Sequence, residues 1–171
     1  CPFNMVLNLF AARKGLAFDR DGDLASQGQI IQSLLNNLNA IPYYKNLPPK
    51  SLGLEDFKSD WLPLFQGQEY STEDLSATYV FHAAYQISNF LGKEKSRLLV
   101  TGGGAFHHHF IKVLKKLTNT EVIVPEPQLV EYKEALIFAY LGLLRFLGKP
   151  NSLASVTGAS QNVSGGDLIG F

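Results

Sequence analysis

The sequence has 171 residues, 15 Lys and Arg against 15 Asp and Glu, no formal net charge and 46% hydrophobic residues. That length suits one domain of about 100–200 residues with a core of its own, and a neutral chain with no basic run beyond Lys115-Lys116 lacks the footprint of a nucleic-acid or anionic-membrane surface. A single cysteine excludes an internal disulfide framework and fits a reducing, cytoplasmic setting.

In chain order, Pro2 to Lys14 carries Met5, Leu9 and Ala12 at helical spacing beside Val6 and Phe10, and Gly15 can stop that helix. Cys1-Pro2-Phe3-Asn4 runs straight into the helical pattern without an initiator Met or a secretory signal, as the middle of a protein does. Phe18 to Asp23 is a polar turn, because Asp-Gly tolerates positive φ. A second helix is expected over 24–41, with Ile30, Ile31, Leu34, Leu35 and Leu38 on one face and Pro42 beyond it. Tyr43 to Gly53 holds Pro48-Pro49 and is read as extended before the proline pair, with a short helix around 54–64.

Ser71-Thr72-Glu73-Asp74 starts a helix, with hydroxyl caps and acids in its positive first turn, and the helix runs to Leu91-Gly92. Its Ala77, Ala83 and Ala84 suit close packing, and His82 reads as a half-buried, hydrogen-bonded residue. The period then changes. Arg97 to Thr101 reads as a buried strand, Gly102-Gly103-Gly104 as a tight turn, and Ala105 to Leu117 as a helix. Glu121 to Pro125 is a second strand, and Glu131 to Leu147 is a long apolar helix capped by Gly148, whose mostly apolar stretch, Ala135 to Leu147, is interrupted by Arg145 and too short to span a bilayer. Strand, turn, helix and strand make a parallel βαβ unit. The tail from Ser155 to Phe171 is rich in Gly and Ser and is expected to carry short strands. The class is α/β, helix-rich, one lobe over 1–171.

Chemistry concentrates at the glycine turn. It lies at the carboxyl end of a strand, where open α/β sheets bind ligands, and it feeds a helix start with free N–H groups. It matches neither G-x-G-x-x-G nor G-x-x-x-x-G-K-[ST]. Two readings fit it: a tight turn that serves packing alone, and a backbone contact to a nucleotide. His107-His108-His109 does not make a metal site, because consecutive helical residues point about 100° apart and no Glu or His follows at i+4. The three are read as a solvated helix start. Asp19, Asp21 and Asp23 are read as a turn, since no Glu follows at the calcium-loop offset. Cys1 has no nucleophile context. Glu134 is the best single carboxylate for a ligand contact.

Seven stretches in order resemble the anhydro-N-acetylmuramic acid kinases, bacterial enzymes of the sugar kinase/Hsp70/actin superfamily. Pro2 to Asn8 is similar to the segment after the aspartate of a D-x-G-P-x-N motif, and Phe18-Asp19-Arg20-Asp21-Gly22, with Ala25 and Gly28, to F/Y-D-x-D-G-x-x-A-x-x-G. Pro48 to Phe57 resembles P-P-K-S-T-G-R-E-x-F, and Asp74-Leu75-Ser76-Ala77-Thr78 the start of the next helix. Gly102 to Ala105 stands where the family has G-G-G-A-x-N, Glu134 to Leu141 resembles E-A-x-A-F-A-x-L, and Ser155 to Ala159 matches S-V-T-G-A.

The resemblance implies the C-terminal lobe of an actin-like ATPase, ribonuclease H-like fold, with the N-terminal phosphate-binding lobe absent from this chain. It implies ATP and Mg²⁺ as cofactors, anhydro-N-acetylmuramic acid as the sugar, hydrolytic ring opening, and N-acetylmuramic acid 6-phosphate as product in peptidoglycan recycling. No catalytic residue is expected in this chain, since the base aspartate of the motif would precede Cys1, and the chain alone would be inactive. Gly102, Gly103, Gly104 and Ala105 would face the adenosine with their backbone, with His107 beside them; Asn4 and Glu134 would lie toward the sugar. Departures are Cys1 for Gly, His107 for Asn, and Leu52 and Leu54 for Thr and Arg. An open edge at the first strand predicts a homodimer. The alternative is an actin-like module that binds nucleotide or a partner without chemistry.

Overall fold

The structure is a computed structural model that describes residues 2–47, 50–66, 69–91 and 97–170. The chain forms two compact units, residues 1–125 and 126–171. The first unit holds α1 (Phe3–Ala12), α2 (Asp23–Gln27), α3 (Gln32–Ala40), α4 (Leu54–Asp56), α5 (Thr72–Leu91), β1 (Arg97–Leu99), α6 (His108–Leu117) and β2 (Glu121–Ile123). It is a helix-rich α/β unit with a small parallel sheet.

Helix α5 is the axis of this unit. Its N-terminus is capped as the hydroxyl pattern predicts, with the amide of Asp74 donating to Ser71 Oγ at 3.0 Å. Every residue from Leu75 to Val80, and then His82, Ala83 and Ala84, is buried, so this stretch is enclosed on all sides rather than amphipathic. Its Ala, Ser and Thr side chains leave room for α1, α2, α3 and α6 to pack around it. The core joins Val6 and Phe10 of α1, Leu38 of α3, Leu75, Tyr79 and Val80 of α5, and Leu114 of α6 to Trp61 and Phe65. Phe10, Phe65 and Tyr79 meet edge to face, with centroids 5.0–6.3 Å apart, the arrangement that ring quadrupoles favour. Tyr79 also donates its hydroxyl to the carbonyl of Pro2 at 3.4 Å, tying the start of α1 to the axis.

The helix expected over 24–41 is two helices. Residues 28–31 are not helical because α5 takes their backbone partners: the Gln29 amide donates to Asp74 Oδ1 at 2.6 Å and the Ile31 amide to Thr78 Oγ1 at 2.9 Å. A Cβ at Gly28 would overlap the carbonyl of Glu73, so glycine is what allows this approach. Pro42–Lys45 is a short 3₁₀ turn rather than extended chain, and Pro48-Pro49 lie outside the described residues. The helix expected near 54–64 starts as α4 and changes pitch, to a π turn at Phe57–Trp61 and a 3₁₀ turn at Leu62–Phe65.

Strands β1 and β2 pair in parallel with register Arg97↔Glu121, Leu98↔Val122 and Leu99↔Ile123, and α6 is the crossover between them. The first strand was expected to be buried; Leu99 is instead 59% exposed, because a described sheet of two short strands covers only one face of each. Helix α6 begins at His108, three residues later than the sequence suggests, since Gly103–Phe106 wind as a 3₁₀ turn and His107 stands between the two with φ −83° and ψ 83°.

The second unit holds α7 (Pro127–Phe146) and α8 (Ala154–Thr157). Helix α7 begins four residues before the expected Glu131, using Pro127 in its first turn. It ends with Gly148 at φ 63°, whose amide donates to the carbonyl of Arg145. The tail does not form the expected strands. Ser155-Val156-Thr157 belong to α8, and among the described residues of the tail the pairing is an isolated antiparallel bridge, Ser152 with Val163. Asn151 organises the tail instead, accepting from the Gly165 amide at 2.8 Å and donating to the Leu141 carbonyl at 3.3 Å. Among the described residues, no helix is long and apolar enough to cross a membrane.

His82 is fully buried rather than half-buried, and its polar atoms are satisfied in one chain of hydrogen bonds. Burial pushes the Tyr44 hydroxyl well above its usual pKa, so it donates to His82 Nε2 at 2.8 Å. His82 Nδ1–H donates to Asn39 Oδ1 at 2.7 Å, which also accepts from Gln86 Nε2 at 2.9 Å. Burial pushes the imidazole down from 6.5 to about 3. The unfolded chain therefore binds a proton near pH 6.5 that the folded chain refuses until about pH 3. Stability is full above that window and falls by about 1.4 kcal/mol per pH unit as the pH drops through it. In urea titrations between pH 6.5 and pH 4.5, His82→Gln is expected to flatten that slope; His109, also held below its ordinary value by burial, supplies the part that remains.

Candidate functional site

Three segments far apart in the sequence meet around one cleft of about 330 Å³. They are the first turns of α1, the acidic turn 19–22, and the glycine turn that follows β1. Asn4, Asn8, Asp19, Arg20, Asp21, Gly103 and His107 give the lining its polar atoms, with Leu7, Phe18 and Phe106 between them. The cleft opens at the carboxyl end of β1, the end at which ligands bind in open parallel sheets.

The glycine turn is shaped by the chain around it. Gly102 has φ 76°, a conformation that costs a side chain strain. A Cβ at Gly103 would lie 2.8 Å from Asn4 Nδ2, and one at Gly104 would lie 3.2 Å from the Phe3 ring. These two glycines let the start of α1 approach the turn. The Ala105 amide donates to the Gly102 carbonyl at 2.9 Å and the His107 amide to that of Gly104 at 3.2 Å. Asn4, Gly103 and His107, read separately in the sequence, therefore line one cleft, with Gly102, Gly104 and the buried Ala105 in the same turn. Glu134 is an exposed residue of α7 in the second unit.

The acidic turn carries the strain its Asp-Gly pair predicts, with Asp21 at φ 56° and Gly22 at φ 82°. Asp19 is 6% exposed and accepts from the amides of Leu24 at 2.9 Å and Ala25 at 3.2 Å. Burial by itself would raise its pKa, but the neighbouring His107 side chain and the hydrogen bonds from the Leu24 and Ala25 amides outweigh burial and hold the carboxyl below its ordinary value. Asp19 is an anion at neutral pH.

The three histidines do not form a uniformly solvated helix start. His108 is exposed, but His107 is 5% exposed, because its imidazole turns back to cap the helix it precedes. The Phe110 amide donates to His107 Nδ1 at 3.0 Å, which leaves the ring hydrogen on Nε2. Nε2 faces Asp19 Oδ2 at 3.4 Å, a distance longer than a direct hydrogen bond usually has, so the contact is mainly electrostatic. No group of three His, Cys, Asp or Glu side chains is placed to hold a metal ion among the described residues. Sequence reasoning did not find Arg20, Asn8 or the role of Asp19. The signal available for Asp19 was its place ahead of a helix start, where a carboxylate can take free amides.

A family profile described as anhydro-N-acetylmuramic acid kinase matches residues 1–169. The chain belongs to the anhydro-N-acetylmuramic acid kinase family. It is 34% identical over 155 residues to the anhydro-N-acetylmuramic acid kinase of Coxiella burnetii strain Dugway 5J108-111, covering 85% of this chain and 41% of the relative. It is 34% identical to that of Aliivibrio fischeri, covering 95% and 47%, and 35% identical to that of Vibrio vulnificus strain YJ016, covering 98% and 48%. The chain thus spans less than half the length of these curated relatives.

Gly22 of the acidic turn lies against the His107 imidazole. A Cβ there would overlap His107 Cε1, and its φ of 82° disfavours any side chain. Gly22→Ala is expected to cost at least about 2 kcal/mol from strain and displacement of the imidazole, measured by urea denaturation. Gly142 of α7 has nothing near its missing Cβ, so Gly142→Ala is expected to stabilise by about 0.5–1 kcal/mol and serves as the control.

Proposed function

We propose that this chain is the C-terminal lobe of an actin-like sugar kinase, and that its cleft is one wall of the active site. In the reaction inferred, ATP and water act on anhydro-N-acetylmuramic acid. The anhydro ring opens and the freed primary hydroxyl receives the γ-phosphoryl group, giving N-acetylmuramic acid 6-phosphate for peptidoglycan recycling. The observation that carries this reading is the meeting of Asn4, Gly103 and His107 in one cleft at the carboxyl end of β1, in a chain matched to the kinase family over nearly its whole length.

Phosphoryl transfer depends chiefly on positioning and on neutralising charge, rather than on covalent chemistry by the protein. The residues of this chain supply binding. The backbone of the glycine turn faces the adenosine, where the open space at Gly102 lets a base or ribose come close. Asn4 offers an amide, both donor and acceptor, toward the sugar, and Glu134 is proposed as a second sugar contact. Mg²⁺, when bound, neutralises the phosphate charge. The small number of carboxylates at the cleft, Asp19 and Asp21, suits an ion held mostly by phosphate oxygens and water. The base that accepts the water proton is not assigned to any residue described here. The exposed Leu136, Phe138 and Tyr140 of α7, each at least 59% exposed, support the lobe reading, since so much apolar surface suits contact with a further layer of protein.

The test is ATP- and Mg²⁺-dependent phosphorylation of anhydro-N-acetylmuramic acid by the protein as encoded. Turnover is expected, with Asn4→Ala and Glu134→Gln raising the KM for the sugar by about tenfold or more while the KM for ATP moves little. A folded protein with no turnover would reject the kinase reading in favour of an actin-like module without chemistry.

A further inference from the structure

The floor of the cleft contains a buried polar contact to which the proposed reaction gives no role. Asp19 is fixed to the first turn of α2 by two amides, and α2 packs on α5. The carboxylate is therefore referenced to the buried axis of the unit. On the other side, the amide of His107 closes the glycine turn on the Gly104 carbonyl, and its Nδ1 caps α6 through Phe110. Any shift of this residue moves the turn.

The imidazole has little freedom to shift by itself. Gly22 leaves it only the space of a missing Cβ, and Phe3 stands edge-on at a centroid distance of 5.5 Å. Nε2 has no hydrogen-bond partner among the described residues, and Asp19 Oδ2 lies 3.4 Å from it. A buried ring N–H beside a buried carboxylate is held by electrostatics that water does not screen.

We propose that His107 and Asp19 form a positioning pair that sets the glycine turn against the cleft, so that its loss weakens the nucleotide side of the site and spares the sugar side. The assignment of sides rests on the reading of the turn given above; the pair itself rests on the contacts. Helix capping and the Asp19 contact are separable. Asparagine is a good cap and can serve the Phe110 amide, yet its shorter side chain does not extend to Asp19. At Asp19, asparagine keeps a single acceptor oxygen where the carboxylate offers two, so one of its partners must be lost.

The experiment compares the protein as encoded with Asp19→Asn and His107→Asn. Each variant is expected to raise the KM for ATP by about threefold or more and to leave the KM for anhydro-N-acetylmuramic acid within about twofold. In ¹⁵N spectra the wild-type His107 hydrogen is expected on Nε2, and the amide signals of Gly102 to Gly104 are expected to move in both variants. Unmoved glycine amides would overturn the pair, as would ATP and sugar constants that rise together with a lowered Tm. If the wild type phosphorylates nothing, the kinase reading fails, and the glycine amides still decide the pair: their movement supports it and their constancy ends it.

Discussion

Burial of α5 on every side is the constraint from which the first unit is built. A helix enclosed all round has no solvent face on which to place large side chains, and it packs closely only where its own residues are small. Ser76, Ala77, Thr78, Ala83 and Ala84 meet that need. The neighbours must also come close, which is why Gly28 lies against the Glu73 carbonyl and why the chain at 28–31 gives up helical hydrogen bonds for Asp74 and Thr78. At His82 the axis carries a buried imidazole that is fully paired, with Tyr44 and Asn39. An unpaired imidazole at that depth would cost the unit a few kcal/mol.

The cleft follows from the same packing. The start of α1 is tied to α5 through Tyr79, and α2, which holds Asp19, lies against α5 as well. The glycine turn is then fitted between two segments already held in place. Its glycines serve packing: Gly102 meets a backbone requirement and Gly103 makes room for Asn4, and Gly103 also borders the cleft. Packing shapes the cleft at this turn, because the contact that draws α1 onto it is what gives the cleft its second wall.

Much of this was legible in the chain. The cap at the start of α5, the Gly148 stop of α7, the Asp-Gly turn and the parallel βαβ unit all come from local rules, since a cap or a turn depends on residues only a few positions apart. The errors have separate sources. The break at 28–31 came from side chains of α5, more than forty positions away in the chain. The start of α6 moved because His107 uses its ring to cap rather than to meet solvent. Leu99 reads as buried by composition, but composition does not state how many strands cover it.

Residue type and order determined the family, the class of fold, and the helical and strand periods. They did so because those properties are written in short-range spacing and in motif order. Tertiary structure alone decided that Asn4, Asp19, Gly103 and His107 share one space, that His107 is buried against a carboxylate, and that one expected helix is two. Distances between residues remote in the chain are set by which surfaces pack together, and packing balances every neighbour at once.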